Sequence, residues 1–142
     1  MNILNAQYPE RMMNMKIAVS AAGPDAGAPA EERFGRCAYF ILFDEQGNLL
    51  EVINNKGAAS AEGAGIKTTQ VLLRHNVDVV LTGRVGPKAM TALSNAGVAV
   101  YTGVSGTVAQ TLDKYREGLL VPVTEPNARQ HSGVKESGRV VK

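Results

Sequence analysis

Residues 77–87 constrain the fold more than any other stretch, because they combine an apolar run with two glycines and a proline. The run Val79-Val80-Leu81 has no polar interruption, which is typical of a central parallel strand covered on both faces. Pro87 has a fixed φ and no N–H to lose, so it suits the first position of a helix. The stretch therefore predicts a strand, a glycine loop and a helix. A loop of that shape presents backbone N–H groups to an anion.

Strand-like and helix-like patterns alternate through the rest of the chain. Short apolar runs predict strands at 15–20, 38–43, 49–53, 77–81 and 98–101, and a short extended segment at 119–123. Helical spacing of apolar residues predicts helices after the glycine loops 63–65, 83–86 and 103–106, the last with Ser105 as its N-cap. Turn-forming residues at 44–48 join the second and third strands as a hairpin.

This order predicts the α/β class, with a five-stranded mixed sheet and three helices. The simplest strand order is 3-2-1-4-5, in which only the second strand is antiparallel. The loops after strands one, three, four and five then emerge at one edge of the sheet, which we call the rim. Residues 15–123 form the predicted domain, residues 1–14 an N-terminal tail and residues 124–142 a flexible C-terminal tail.

Composition limits the partners and the compartment. The chain has 142 residues, 44% of them hydrophobic and 20% charged, which is ordinary for a globular domain. No apolar run is long enough for a membrane span, and residues 1–14 do not resemble a secretory signal, so we expect a cytoplasmic protein without a membrane partner. Residues 125–142 carry four basic and two acidic residues, which leaves the rest of the chain neutral. A neutral domain is a poor nucleic-acid platform, so no nucleic-acid partner is expected.

The rim is predicted to bind a large anion. Three helices begin there after glycine loops, and each N terminus offers unpaired N–H groups and about half a positive charge. Arg33, Arg36 and Arg84 add cations, and Cys37, the only cysteine, adds a soft sulfur. An anionic metal-sulfur species would match all of these groups, and a phosphate ester would match most of them.

Catalysis has little support in the sequence. The first strand, Ile17-Ala18-Val19-Ser20, contains no carboxylate of the kind that a two-metal nuclease needs. Ser20 and Ser105 have no local histidine to activate them as nucleophiles. We therefore interpret the chain as a binding protein and not as an enzyme.

Four motifs in order resemble a known family. They are Arg33-Phe34-Gly35-Arg36-Cys37-Ala38-Tyr39-Phe40; Gly63-Ala64-Gly65-Ile66; Val77-Asp78-Val79-Val80 with Gly83-Arg84-Val85-Gly86-Pro87; and Val100-Tyr101-Thr102-Gly103 with Ser105-Gly106-Thr107-Val108. Together they resemble the dinitrogenase iron-molybdenum cofactor biosynthesis family, which includes NifX, NafY and the C-terminal domain of NifB. The resemblance covers about residues 15–121.

The resemblance implies a ribonuclease-H-like fold without nuclease activity. It also implies binding or carriage of the iron-molybdenum cofactor or an iron-sulfur precursor, with a nitrogenase or a cofactor-assembly protein as partner. The cofactor-binding residues it indicates are Arg33, Phe34, Gly35, Arg36, Cys37, Gly63, Gly65, Gly83, Arg84, Gly86, Ser105, Gly106 and Thr107. Family members commonly have histidine at the position of Arg33, a ligand that this chain lacks and for which Cys37 is the candidate replacement. The other candidate metal ligand is His131, on a tail that can fold over the rim.

Each candidate also has a simpler interpretation. Cys37 is either a cluster ligand or a small buried hydrophobic residue. Arg33 and Arg36 either hold an anion or pair with the adjacent Glu31 and Glu32. Any one glycine loop is explained by a tight turn alone. His131 either closes over the rim as a ligand or belongs to a flexible tail. The alternative function is a binder, sensor or enzyme for a phosphorylated small molecule.

Overall fold

Apolar strands and amphipathic helices follow one another in the order that the sequence pattern predicts. The structure is a computed structural model, and it describes residues 15–127. Its strands are β1 (Ile17–Ala21), β2 (Tyr39–Phe43), β3 (Leu49–Asn54), β4 (Val79–Leu81), β5 (Ala99–Thr102) and β6 (Val121–Val123). Its helices are α1 (Ala64–Arg74), α2 (Pro87–Asn95) and α3 (Val108–Arg116), with short 3-10 helices at Phe34–Arg36 and Lys56–Ala59.

The strands form one mixed sheet in the order β3-β2-β1-β4-β5-β6. β1, β4 and β5 are parallel, and β2 is antiparallel to both of its neighbours. The α/β class, the mixed sheet and the three helices are therefore confirmed. Because β3 is antiparallel to β2, it runs in the direction of β1, and the loops after β1, β3, β4 and β5 lie at the rim.

The prediction of five strands is wrong. Residues 121–123, expected only as an extended segment, pair antiparallel with β5 and add a sixth strand at the edge. Three residues are too few to show a strand period, and Pro122 argues against a strand except at an edge, where a missing N–H costs little. The ribonuclease-H-like assignment and the domain boundaries stay predictions.

The two faces of the sheet bury separate cores. Ala18, Val80 and Val100 face α1 and α2, whereas Val19 and Leu81 belong to the core under α3. This alternation is the two-residue period of strands that are covered on both sides. The α1 and α2 N termini therefore lie on one face of the sheet and the α3 N terminus on the other. None of the helices within residues 15–127 combines the length and apolarity needed to cross a membrane.

Candidate functional site

Residues 33–37 alternate between core and solvent. Phe34 and Cys37 are buried, and the Phe34 ring centroid lies 5.7 Å from that of Phe40. Arg33 and Arg36 are exposed at the rim. Phe34, predicted as a cofactor contact, instead anchors this segment in the core, and the two arginines are the side chains that it presents to solvent.

The loop after β1 lies against the central glycine loop. The backbone N–H of Arg84 donates to Glu32 O at 2.6 Å, and that of Phe34 donates to Arg84 O at 3.1 Å. Gly83 is buried, and a Cβ on it would lie 2.5 Å from Glu32 O. Gly83, which the sequence indicates as a cofactor-binding residue, is therefore covered by Glu32. Its lack of a side chain permits the close approach of Glu32.

Two buried hydroxyls at the strand ends hold the same loop, and sequence reasoning missed their role. The Ser20 hydroxyl lies 2.5 Å from Glu31 O and 2.9 Å from the Thr82 hydroxyl. Both side chains are fully buried where β1 and β4 end. The polar residues at the switch point between β1 and β4 therefore fix the loop and do not face a ligand.

Asn127 is another residue that the sequence did not indicate. Its side chain accepts from Val85 N at 2.8 Å and donates to Gly83 O at 2.9 Å. The N–H groups of Arg84 and Val85 are thus both bonded within the chain, so the central loop offers fewer donors than its glycines suggest. No local motif links Asn127 to residues this distant in the chain.

The three helix N termini are not equivalent. Val108 N donates to Ala28 O, and Ala109 N donates to Ala26 O, each at 2.9 Å. Gln110 N donates to the Thr107 side chain, which makes Thr107 the N-cap in a capping box and the Ser105 prediction wrong. The first turn of α3 therefore has its donors satisfied.

The first turns of α1 and α2 are open. Gly63 and Gly86, their N-cap residues, provide no side-chain cap. Within residues 15–127 no acceptor is bonded to the N–H groups of the first α1 turn, residues 64–66, or to those of Lys88 and Ala89 in α2. These two N termini retain the partial positive charge expected of uncapped helices.

Small residues bring the open N termini and the arginine segment together. A Cβ on Gly35 would lie 3.1 Å from Gly65 N, and one on Gly65 would lie 3.2 Å from the Ala89 Cβ. The first 3-10 helix, α1 and α2 thus pack so closely that a side chain at Gly35 or Gly65 would press against the neighbouring segment. We call this surface, formed by residues 33–36, 63–66 and 84–89, the α1–α2 rim. It contains most of the residues of the predicted site. Cys37 and Gly83 lie beneath it, and Ser105, Gly106 and Thr107 lie outside it, where Gly106 and Thr107 contact residues 29–30.

The rim arginines are partly neutralised by their neighbours. Arg33 Nε lies 3.1 Å from Glu31 Oε2, and Arg84 Nη2 lies 3.6 Å from Glu32 Oε1. Partial burial raises the pKa of Glu31, but hydrogen bonds from the Arg33 side chain and backbone outweigh it, and the pKa lies below its usual value. Among residues 15–127 Arg36 has no carboxylate partner, and its Nη1 donates to the carbonyls of Ala58 and Ser60 at 2.9 and 2.8 Å.

An open groove of about 500 Å³ adjoins Arg36. Its charged lining residues are Arg36 and Lys56, and Tyr39, Asn54 and Asn55 supply its other polar groups. None of the described residues that line the groove is acidic, so its charge favours an anion. It extends the positive surface of the α1–α2 rim toward the end of β3.

Cys37 lies beneath this surface in a polar network. Its thiol donates to Phe34 O at 3.4 Å. The Asn55 amide donates to Cys37 O at 2.9 Å and to the Thr68 hydroxyl at 3.0 Å. Burial raises the pKa of the Cys37 thiol to about 12, although the Asn55 contact opposes the shift. The structure favours the buried interpretation of Cys37, because its side chain is fully buried.

We expect Cys37 to be unreactive in the folded protein. At pH 8 a thiol with so high a pKa is almost entirely protonated, so a disulfide reagent such as dithionitrobenzoate should react at least about a hundredfold more slowly than with the unfolded chain. The release of thionitrobenzoate, followed with and without denaturant, measures both rates. Equal rates would contradict the buried placement of the thiol.

The described donors do not form a metal-coordination set. Among residues 15–127, no three His, Cys, Asp or Glu side chains are grouped closely enough to hold a metal ion. His131, the other predicted ligand, lies outside the described residues. The α1–α2 rim therefore offers N–H groups and guanidinium groups, which bind the outer atoms of an anion and not its metal.

Comparisons with known proteins cover the region that contains this surface. A family model described as dinitrogenase iron-molybdenum cofactor matches residues 15–118. An uncharacterised protein of Methanocaldococcus jannaschii is 26% identical over 109 residues, which are 75% of this chain and 89% of the relative. The matched segment of the family model includes every residue of the α1–α2 rim, but not Asn127.

Two solved structures share the fold at moderate sequence identity. The apo form of the orange protein (ORP) from Desulfovibrio gigas is 37% identical, with a TM-score of 0.75 over 80% of this chain and 97% of that chain. A Thermotoga protein described as a NifB protein of the DUF35 family is also 37% identical, with a TM-score of 0.68 over 78% of this chain and 94% of that chain.

Proposed function

Because the chain belongs to the dinitrogenase iron-molybdenum cofactor family, we propose that it is a non-catalytic carrier of an anionic iron-molybdenum cofactor or its iron-sulfur precursor. The observation that carries this proposal is the α1–α2 rim, where two uncapped helix N termini lie beside an arginine segment. A nitrogenase or a cofactor-assembly protein would receive the cargo.

The rim holds such a cargo through its outer atoms. Sulfide and carboxylate groups on the surface of an anionic cluster accept hydrogen bonds from backbone N–H groups, and the helix dipoles favour their negative charge. Arg33 and Arg84 reach solvent, so each can exchange its glutamate partner for the ligand. Contacts of this kind are weaker than coordination bonds, which suits a protein that must release what it binds.

Positive charge at the rim should be required for binding. In the double variant Arg33→Gln, Arg84→Gln, we expect the dissociation constant for isolated iron-molybdenum cofactor to rise about tenfold, since two charged contacts worth about 0.7 kcal/mol each are lost. Coelution of iron and molybdenum with the protein in anaerobic gel filtration measures the affinity. The affinity should also fall as salt is raised.

The matched control places the same charge change at the opposite end of the strands, away from the rim. Arg74 and Arg116 end α1 and α3, so the double variant Arg74→Gln, Arg116→Gln should bind like the unchanged protein. Failure of the unchanged protein to retain cofactor would refute the proposal. If sugar phosphates or nucleotides, added instead of the cofactor, raise the unfolding temperature, the phosphate alternative is supported. A ligand at 100 times its Kd adds about 2.7 kcal/mol of stability.

A further inference from the structure

The chain returns to the rim after its last strand. β6 is antiparallel to β5, and its first residue, Val121, lies opposite Thr102 at the rim end of β5, so β6 runs away from the rim. Asn127, only four residues after the end of β6, nevertheless bonds to the central glycine loop. Residues 124–127 therefore turn back toward the rim, and we call this segment the strap.

One residue holds the strap to the central loop. The Asn127 side chain accepts from Val85 N at 2.8 Å and donates to Gly83 O at 2.9 Å, and Asn127 N donates to Val85 O at 3.2 Å. The other side of the loop is paired with residues 32–34 through the N–H and C=O groups of Arg84. The loop therefore keeps an anchor of its own when Asn127 is released.

Little else fixes the strap in place. Its four residues are exposed, and among residues 15–127 the side chains of Thr124 and Glu125 make no hydrogen bond or ion pair. Hydrogen bonds that water can reach add little net stability, because water competes for the same donors and acceptors. A segment held mainly by such bonds can open without unfolding the domain.

The strap occupies a donor that adjoins an open helix N terminus. Val85 directly precedes Gly86, the N-cap of α2, and the N–H groups of Lys88 and Ala89 have no acceptor within residues 15–127. When Asn127 is released, the Val85 N–H becomes a further donor at the α1–α2 rim. The Asn127 amide oxygen thus stands where an oxygen or sulfide of an anion can bind.

We propose that Asn127 is an internal competitor of the cargo, whose side-chain oxygen occupies the Val85 N–H until an anion displaces it. This inference rests on the proposed carrier function and adds a form of regulation to it. The family model match ends at residue 118, so the regulating segment lies outside the matched one. The apparent dissociation constant is then the intrinsic one divided by the fraction of molecules with an open strap.

Amide hydrogen exchange of the ligand-free full chain, resolved by NMR, tests whether the strap opens. The Val85 N–H should exchange within about tenfold of the rate of an unstructured peptide, and the Val80 N–H of central β4 at least about a thousandfold more slowly. Asn127→Ala should speed exchange at Val85 and leave that at Val80 unchanged. Equally slow exchange at both positions of the unchanged protein would overturn the proposal, because the strap would then open only on global unfolding.

Anaerobic binding of isolated iron-molybdenum cofactor tests the competition. Asn127→Ala should bind about threefold to tenfold more tightly than the unchanged protein, which corresponds to a strap that is closed in roughly 70–90% of molecules. The matched control is Thr124→Ala, which truncates another exposed polar side chain of the strap. It should bind like the unchanged protein.

The outcomes separate this inference from the carrier function. Equal or weaker binding by Asn127→Ala than by the unchanged protein would overturn the competition and leave the carrier function intact, because the amide would then only support the loop. Tighter binding by Thr124→Ala as well would also overturn the role of Asn127. If none of the three proteins retained the cofactor, the carrier function would be refuted, and the competition with it.

Discussion

Replacing Gly83 by alanine should lower the free energy of unfolding by about 3 kcal/mol. The added Cβ would overlap Glu32 Cγ and would lie 2.5 Å from Glu32 O and 2.9 Å from Glu32 Cα. The side-chain atom can move, but the two backbone atoms cannot move without disturbing the 2.6 Å bond from Arg84 N to Glu32 O. Urea unfolding followed by circular dichroism measures the change.

Gly86→Ala provides the matched control in the same loop. A Cβ at this position would meet no atom within 4 Å, and φ is −74°, which alanine adopts without strain. Its stability should be unchanged or higher by about 0.4–1 kcal/mol. Because Gly86 begins the open α2 N terminus, this variant should instead weaken cofactor binding. Equal stability losses for the two variants would refute the distinction between them.

The contrast between these glycines shows how far the sequence pattern reaches. The pattern of residues 77–87 correctly predicts a strand, a glycine loop and a helix, because each is a local consequence of apolar period and backbone freedom. It does not separate a glycine that packs against a distant loop from one that faces solvent. That difference depends on Glu32, which the fold brings to Gly83 from another part of the chain.

The same dependence on local patterns explains which strands of the fold were predicted. Strands one to five and their order follow from apolar runs and from the right-handed connections that link parallel strands. β6 was not predicted as a strand because three residues carry no measurable period. Only its pairing with β5 makes it a strand. Local signals were nevertheless available for α3, since the sequence Thr107-Val108-Ala109-Gln110 has the spacing of a capping box.

For the candidate site, the motifs locate the surface but do not show which of its backbone N–H groups are free to bind a ligand. The arginine segment and the glycine loops come together at the rim as the topology requires. Which N–H groups stay free depends on acceptors that sequence spacing does not reveal. The carbonyls of Ala26 and Ala28 accept from the first turn of α3, and the Asn127 side chain accepts from Val85 N. The proposed anion surface thus consists of two helix N termini on one face of the sheet, with the arginine segment beside them.

Asn55 illustrates a side chain whose importance the sequence only partly indicates. Asparagine is a common cap, and Asn55 does cap the second 3-10 helix by accepting from Gly57 N at 3.1 Å. Its second role is to donate to Cys37 O, which joins that helix, just after β3, to the arginine segment, just before β2. A single amide therefore supports both the groove and the segment that presents Arg36.

Asn55→Ala should lower the free energy of unfolding by about 3 kcal/mol, because it leaves the Gly57 N–H and the Cys37 carbonyl buried without partners. Asn54→Ala, at the exposed neighbouring position, should change stability by less than about 0.5 kcal/mol. Asn55→Asp keeps the acceptor for Gly57 but loses the donor, so a carboxylate at this buried position should not restore stability. Urea unfolding compares the three variants. If Asn55→Ala were as stable as Asn54→Ala, the network would not stabilise the arginine segment; if it is destabilised as expected, dithionitrobenzoate should also reach Cys37 faster in that variant.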